Sequence, residues 1–223
     1  MAFFAELAML AEKLSQEGSR LKKRAAIAEA IASLHAAVPQ SDDAGRFALY
    51  LAGQPFAEND TRKLNAGGAL LSRAVLTVSG ASQAALTAAY RLHGDLGAAA
   101  HDLFDARPGE APVAMLTLDD VADVFAAMAV ARTTASRASL VEGLLTRATA
   151  LEAKYLLKLM LGDMRIGVKQ SLIEEAIAVA SSTDVAAVRH AVMLEADLSR
   201  AVGRAFAGTL AEEIGRASCR ERV

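Results

Sequence analysis

Apolar side chains recur every three or four residues along most of this sequence, which is the spacing that places them on one face of a helix. The first run of this kind extends from Phe3 to Leu14, and it ends at Gly18 and Ser19. Ser19 is suited to begin the next helix, because its hydroxyl can accept a backbone N–H of the first helical turn. Later runs predict helices at about residues 82–92, 95–105, 137–148, 150–161, 169–180, 184–194 and 197–208. Since no segment alternates as a strand does, the sequence predicts an all-α fold.

Two stretches of helix-breaking or polar residues interrupt the helical pattern. Residues 107–112 hold two prolines and a glycine, which predicts a linker. Residues 133–136 are predicted to form a second, polar joint. Earlier in the chain, Asp42 or Asp43 is expected to cap a short helix that continues to Leu51.

The apolar pattern also repeats itself at a constant offset of 102 residues (172 − 70). Leu70 corresponds to Leu172, and the Asp-Leu pair at 95–96 corresponds to the pair at 197–198. We interpret the offset as a duplicated unit of helix, helix, Asp-Leu and helix, in a domain with pseudo-twofold symmetry. Glycine-containing loops precede the first helix of each copy. With such symmetry both loops would face one ligand, such as a DNA duplex, whose two backbones are themselves related by twofold axes.

The loop at residues 162–169 has the features of a phosphate-binding site. It carries Gly162 and Gly167, with Arg165 between them and Lys169 after them, directly before a predicted helix. The first turn of a helix offers free backbone N–H groups and the positive end of the helix dipole. Glycine lets a ligand approach the backbone closely, and arginine and lysine supply positive charge. We therefore predict phosphate binding here. The alternative is that Arg165 caps the end of the preceding helix.

The composition agrees with helices and limits how a nucleic acid can be bound. Hydrophobic residues make up 53% of the chain, but many are alanine, aromatic residues make up 4% and tryptophan is absent. Such a composition favours closely packed helices over sheets. The formal net charge of −2 excludes binding of a polyanion through bulk positive charge, so a local basic patch is required. No apolar run reaches the length of a membrane span, and the single cysteine, Cys219, cannot form an internal disulfide. We therefore expect a cytoplasmic protein.

Candidate catalytic and metal sites are better explained by structural roles. Adjacent carboxylates at 42–43, 119–120 and 174–175 lie in or near first helical turns, where acidic residues interact favourably with the dipole. The spacing of the histidines and acids near residue 100 does not suit a helical zinc site; they are His93, Asp95, His101 and Asp102. A nucleophilic Lys154 would need its own acids, whereas we expect Glu152 to pair with Lys154 or Lys158.

The second helix begins with the basic cluster Arg-Leu-Lys-Lys-Arg at residues 20–24. Cations at a helix start are disfavoured by the dipole. The sequence leaves two explanations open, a solvated surface and an anionic partner.

The order of motifs around the 162–169 loop resembles the N-terminal DNA-binding domain of ATP-dependent DNA ligases. In that family a helix with Glu-Ala-Lys precedes a Gly-x-x-Arg-Ile/Leu-Gly loop and an alanine-rich helix. Residues 151–154 and 162–168, followed by Ala176 and Ala178, have the same order, and other segments agree up to about residue 210. The resemblance implies an all-helical domain with an internal pseudo-repeat. It also implies a grip on the minor groove around a nick through backbone contacts, without reading of the bases.

By position, the DNA contacts that this resemblance implies are Gly162, Arg165, Gly167 and Lys169, and more weakly Gly67 and Gly68. The implied partner is duplex or nicked DNA, in replication, repair or recombination. Chemistry in the family belongs to an adenylation domain with a Lys-x-Asp-Gly motif and a following OB-fold domain, which use ATP and Mg²⁺. This sequence has no Lys-x-Asp-Gly. We therefore expect a truncated, bacterial-type fragment that lacks those domains, binds no cofactor and seals no nick alone.

We predict a helical DNA-binding domain over residues 1–212 and a non-native tail at residues 213–223. The tail loses the apolar period and is similar to a translated sequencing adapter; a disordered native terminus is the alternative. The alternative function is an α-helical repeat scaffold for protein–protein interaction, which the acidic net charge and scarce aromatics also fit.

Overall fold

The structure is a computed structural model that describes residues 1–107, 109 and 112–210. These residues form twelve helices and no strand beyond one isolated bridge between Phe3 and Thr117, which confirms the all-α prediction. The helices are α1 (Phe4–Gln16), α2 (Arg20–Ala37), α3 (Asp43–Leu51), α4 (Gly68–Ser79), α5 (Gln83–His93), α6 (Leu96–Asp105), α7 (Leu118–Val130), α8 (Thr134–Arg147), α9 (Ala150–Leu161), α10 (Gln170–Ser181), α11 (Val185–Glu195) and α12 (Leu198–Ala207). The predicted tail at residues 213–223 lies outside the described residues.

Side-chain caps explain where several helices begin. Ser19 caps α2 as predicted, with its hydroxyl accepting the backbone N–H of Lys22. The predicted joint at residues 133–136 is wrong, because Thr133 accepts the N–H of Ser136 at 3.0 Å and so starts α8 at once. Of the predicted linker, Pro108, Glu110 and Ala111 lie outside the described residues. The structure has no helix between the end of α6 and the start of α7 in the part of the linker that it describes.

The chain divides into two compact units. The first unit combines Met1–Glu12 with Arg62–Arg165, and the second combines Lys13–Thr61 with the described residues from Ile166 onward. In the first unit, α6 packs on α9 and α5, and α4 packs on α8. In the second unit, α10 packs on α2, and α12 packs on α3. Among the described helices, none is both long and apolar enough to cross a membrane.

The helix boundaries agree with the repeat at an offset of 102 residues. The triplet α4, α5 and α6 begins and ends 102 residues before the triplet α10, α11 and α12 at every boundary. Each triplet packs on a helix pair from the other half of the sequence, because α4–α6 contact α8 and α9 whereas α10–α12 contact α2 and α3. The two halves of the chain are thus interleaved, because each unit contains a triplet from one half and a helix pair from the other.

In each unit one glycine allows two helices to pack closely. In the first unit this glycine belongs to the repeated triplet, whereas in the second unit it belongs to the helix on which the triplet packs. A Cβ on Gly97 in α6 would lie 2.5 Å from the backbone oxygen of Lys154 in α9. In the second unit a Cβ on Gly45 in α3 would lie 2.6 Å from the backbone oxygen of Ser199 in α12. Ser199 is the residue that corresponds to Gly97 at the offset of 102. Each helix pair therefore needs one residue without a side chain.

Replacing Gly97 with Ala is expected to destabilise the protein by about 1–3 kcal/mol, because the added methyl group forces α6 and α9 apart. Gly143→Ala is the matched control, since Gly143 is also inside a helix of the first unit and an added Cβ meets no atom within 4 Å. That control should gain about 0.5–1 kcal/mol from helix propensity. Urea unfolding followed by circular dichroism measures both variants. Equal changes in the two would contradict the proposed close contact.

Candidate nucleic-acid interface

In the first unit, Gly162 ends α9 and turns the chain into the loop. Its φ of 72° lies in the left-handed region, which glycine adopts without steric cost. The N–H of Gly162 donates to the carbonyl of Leu159, and the N–H of Asp163 donates to the carbonyl of Lys158, each at 3.0 Å. This pattern is a Schellman C-cap. Gly162 therefore has a structural role in directing the chain toward Arg165.

The guanidinium of Arg165 is held at two points. Its Nε donates to Asp163 Oδ2 at 2.9 Å, and its Nη1 donates to the carbonyl oxygen of Gly94 at 2.9 Å. Gly94 is the C-cap of α5, so the expected alternative in which Arg165 caps α9 is wrong. The Arg165 side chain is 52% exposed, and Nη2 donates no hydrogen bond within the described residues. This edge of the guanidinium can receive a phosphate oxygen.

A cleft of roughly 430 Å³ lies beside Arg165 in the first unit. Its walls come from the start of α4, the corner between α5 and α6, the end of α9 and the 162–165 segment. They include Gly68 and Arg165, so the structure brings two of the predicted contact residues to one cleft. Its lining residues are Gly68, Ser72, Tyr90, Gly94, Asp95, Leu96, Lys158, Leu161, Asp163 and Arg165.

The start of α4 is open. Its N-cap residue is Gly67, which has no side chain that could accept a backbone N–H. At the starts of α7 and α9, by contrast, Thr117 and Thr149 accept such a hydrogen bond. Both Gly67 and Gly68 are exposed, and a Cβ on either would meet no atom within 4 Å. Neither glycine is required by packing. What they leave uncovered is the first-turn backbone N–H groups, which suit an anion.

A buried ion pair supports the wall of the cleft. Lys158 Nζ binds Asp95 Oδ2, and both side chains are almost fully buried. Asp95 also caps α6 by accepting the N–H of Gly97 at 2.8 Å. Burial alone would raise the pKa of Asp95, but the hydrogen bond and charge of Lys158, together with the backbone N–H groups of Gly97 and Ala98, hold that pKa below its usual value. The pair thus fixes the corner whose carbonyl, at Gly94, holds Arg165.

The second unit contains the other half of the loop. Lys23 in α2 is buried, and its Nζ donates to the carbonyl of Ile166 at 2.7 Å and to that of Gly167 at 3.3 Å. Gly167 has a φ of 63°, and a Cβ there would lie 2.6 Å from Lys23 Nζ. Gly167 therefore has a structural role, because its positive φ and the nearby amine of Lys23 both disfavour a side chain at this position. Lys169 is the exposed N-cap of α10 and makes no side-chain cap.

The cluster of histidines and acids near residue 100 and Lys154, which the sequence offered as a metal site and a nucleophile, make other contacts. His93 Nε2 lies 2.7 Å from Asp102 Oδ2, and this histidine holds the pKa of Asp102 below its usual value. Within the described residues no three histidine, cysteine or acidic side chains are grouped to hold a metal ion. Lys154 pairs with Glu12 at 2.6 Å.

Comparison with known proteins identifies the family. The chain matches the family described as DNA ligase N terminus over residues 3–178. The chain belongs to this DNA ligase family. It is 41% identical over 193 residues to a probable DNA ligase of Koribacter versatilis, covering 86% of this chain and 32% of that protein. It is 32% identical over 205 residues to the DNA ligases of Methanopyrus kandleri and Archaeoglobus fulgidus, covering 88% of this chain and 35% and 36% of those proteins. The chain thus spans about a third of the length of these relatives.

The ligase-family match takes in both glycine loops and most of α10. Sequence reasoning missed three side chains that shape the site, namely Lys23, Lys158 and Tyr90. A signal for Lys23 was present, because it precedes the buried Ile27 and Ile31 by four and eight residues on the same helical face. The members of the basic cluster at the start of α2 therefore have different roles. Lys23 supports the loop, while Arg20 pairs with Glu175 at 2.8 Å.

The expected pairing of Glu152 with Lys154 or Lys158 is wrong. Glu152 completes a capping box at the start of α9, where its carboxylate accepts the N–H of Thr149 at 2.9 Å. Its position in the first turn favours this contact over one with a lysine further along the helix. The two lysines instead reach acids on other helices, as described above.

Proposed function

We propose that this chain binds duplex DNA as the N-terminal part of an ATP-dependent DNA ligase. The ligase-family match over residues 3–178 is the observation that carries the proposal. The cleft of the first unit supports it, since an exposed guanidinium and an open helix start lie together there. Both groups donate hydrogen bonds to phosphate, and neither reads a base.

The proposed contacts are to the sugar-phosphate backbone in the minor groove around a nick. Arg165 and the backbone at Gly67 and Gly68 would bind phosphate from the first unit. Lys169 and the N–H groups at the start of α10 would do so from the second unit. Gly162 and Gly167 shape the loop in this proposal, because both have a positive φ, and because Gly162 forms the C-cap of α9 while Gly167 lies against Lys23.

The remaining parts of the ligase carry the chemistry in this proposal. The whole enzyme would transfer AMP from ATP to its own lysine with release of pyrophosphate, and would then pass AMP to the 5′-phosphate at a nick. The 3′-hydroxyl at the nick would attack that phosphate and displace AMP as the nick is sealed. The described residues offer no cluster of three metal ligands, so these residues do not fit a site for Mg²⁺. The sequence also lacks Lys-x-Asp-Gly. ATP and Mg²⁺ are therefore assigned to the adenylation and OB-fold domains of a longer protein, beyond a DNA-binding domain at residues 1–212.

Binding of the full chain to fluorescein-labelled nicked duplex, intact duplex and single strand tests this function. We expect both duplexes to bind, with log K falling linearly against log salt by about 0.9 for each phosphate contacted. Incubation with radiolabelled ATP should leave no AMP on the protein. A folded chain that binds no duplex at low salt would favour the protein-interaction scaffold. A covalent adenylate would show that the chain itself contains the nucleotidyl site.

A further inference from the structure

Tyr90 is exposed in a protein that otherwise buries its tyrosines. Of the three tyrosines, Tyr50 and Tyr155 are 2% and 1% exposed, whereas Tyr90 is 49% exposed. Tyr90 lies in the last turn of α5, where its carbonyl accepts the N–H of Gly94 at 2.7 Å. Leu161, at the end of α9, is 43% exposed. Both side chains line the cleft that contains Arg165. Two large apolar surfaces thus face solvent next to a cation.

The charged groups of the cleft are already paired, with one exception. Lys158 neutralises Asp95, and Asp163 takes the Nε of Arg165. The remaining charged donor is the outer edge of the Arg165 guanidinium, which lines the cleft together with the open start of α4 at Gly68. The cleft therefore offers one directional site for an anion beside an apolar wall. A ligand that fits has a single phosphate attached to a body with an apolar face.

We infer that this cleft holds one backbone unit of a duplex strand, with Arg165 at its phosphate and the side chains of Tyr90 and Leu161 against its deoxyribose. The inference rests on the proposed DNA binding and adds the group that this part of the site recognises. A cleft of roughly 430 Å³ lies within the range of about 300–1,000 Å³ usual for small-molecule sites, which suits a single sugar-phosphate unit. Tyrosine is suited to this contact because its ring is apolar and its hydroxyl stays in water.

The test compares Tyr90→Ala and Leu161→Ala with Leu92→Ala. Leu92 is 76% exposed on the same helix as Tyr90 and does not line the cleft, so it controls for loss of an exposed apolar side chain. We expect either cleft variant to weaken binding to a fluorescein-labelled nicked duplex by about threefold to tenfold. Leu92→Ala and Tyr90→Phe should bind as the unchanged protein does. The salt dependence should not change in any of the four, because no charge is removed.

Three results would overturn the inference, each in a distinguishable way. If Tyr90→Ala and Leu161→Ala match Leu92→Ala while Arg165→Ala still weakens binding, the sugar contact is wrong and DNA binding stands. If Tyr90→Ala weakens only single-strand binding, the ring stacks on bases instead. If the unchanged protein binds no duplex, the proposed function itself fails. Unfolding curves of each variant establish that it is folded before its affinity is compared.

Discussion

Replacing Lys158 with Met is expected to destabilise the protein by roughly 3–5 kcal/mol, because it leaves the buried carboxylate of Asp95 without its cation. The methionine keeps most of the apolar stem that packs against α6, so the loss comes mainly from the charge. Two backbone N–H groups still bind Asp95, which places the expected loss near the lower end of that range. Urea unfolding at neutral pH measures the change in the free energy of unfolding.

The matched control is Lys154→Met, four residues earlier on the same helix. Lys154 pairs with Glu12, but Glu12 is 31% exposed, so solvent screens this pair and its loss should be about 0–1 kcal/mol. Equal losses in the two variants would contradict a special role for the buried pair. The double variant Lys158→Met with Asp95→Asn should recover most of the stability, since asparagine still caps α6 without a charge.

The effect of Lys158→Met also has a defined pH dependence. In the unchanged protein the pKa of Asp95 lies below its usual value, so the stability from this carboxylate is present above that usual value and is lost as the pH falls through the folded-state pKa. In Lys158→Met the hydrogen bond and the charge that lower this pKa are lost, so the pKa of Asp95 is expected to rise relative to the unchanged protein. The variant's deficit should therefore shrink on acidification, as Asp95 becomes protonated and neutral. A deficit that stays constant with pH would point to packing rather than charge.

Most helices could be predicted from sequence because their signals are local. The α9 boundaries, 150–161, agree with the prediction, since a threonine cap and a terminal glycine lie at its two ends. The predicted start of α8 was three residues too late. The polar residues from Thr133 to Ser136 are typical of a loop, and they are equally typical of an N-cap followed by the first turn of a helix. Local composition does not separate these two readings. The hydroxyl of Thr133 decides between them once the chain is folded.

Long-range pairing explains what the sequence could not supply. Lys23 contacts Ile166, 143 residues away, and Lys158 contacts Asp95, 63 residues away. A lysine in a helical pattern is normally assigned to the surface, since burial is costly unless a partner is found. The interleaving of the two halves could not be predicted from the sequence either. The offset of 102 residues would be the same whether a triplet packed on helices of its own half or of the other half.

One pair shows why a search for matching residues underestimates the repeat. His93 and Asp102 contact each other between α5 and α6, and Glu195 and Arg204 form an ion pair between α11 and α12. Each residue of the second pair follows its counterpart by 102 positions, but the basic and acidic members are exchanged. The contact is kept while the residue types are reversed. A search for oppositely charged pairs at the offset of 102 residues would therefore have detected the repeat at positions where the residues are not identical.

Replacing Arg165 with Ala is expected to weaken binding to nicked duplex by about 1–3 kcal/mol, the usual size of a lost charge-assisted hydrogen bond. The variant also leaves Asp163 as an unpaired carboxylate, 59% exposed, on the wall of the same cleft. This carboxylate would repel phosphate, so part of the loss should come from Asp163 rather than from the missing guanidinium. The slope of log K against log salt should decrease by about one phosphate. Fluorescence anisotropy at several salt concentrations measures both quantities.

The double variant Arg165→Ala with Asp163→Asn separates these two contributions. It should bind more tightly than Arg165→Ala alone, because the repulsion is gone, and less tightly than the unchanged protein. Arg147→Ala is the matched control, since Arg147 is also 52% exposed and pairs with an aspartate, Asp120, at 3.0 Å away from the cleft. Its affinity and salt slope should stay the same. A slope that changes equally in Arg147→Ala and Arg165→Ala would mean that general charge, and not the Arg165 guanidinium, is responsible for phosphate binding.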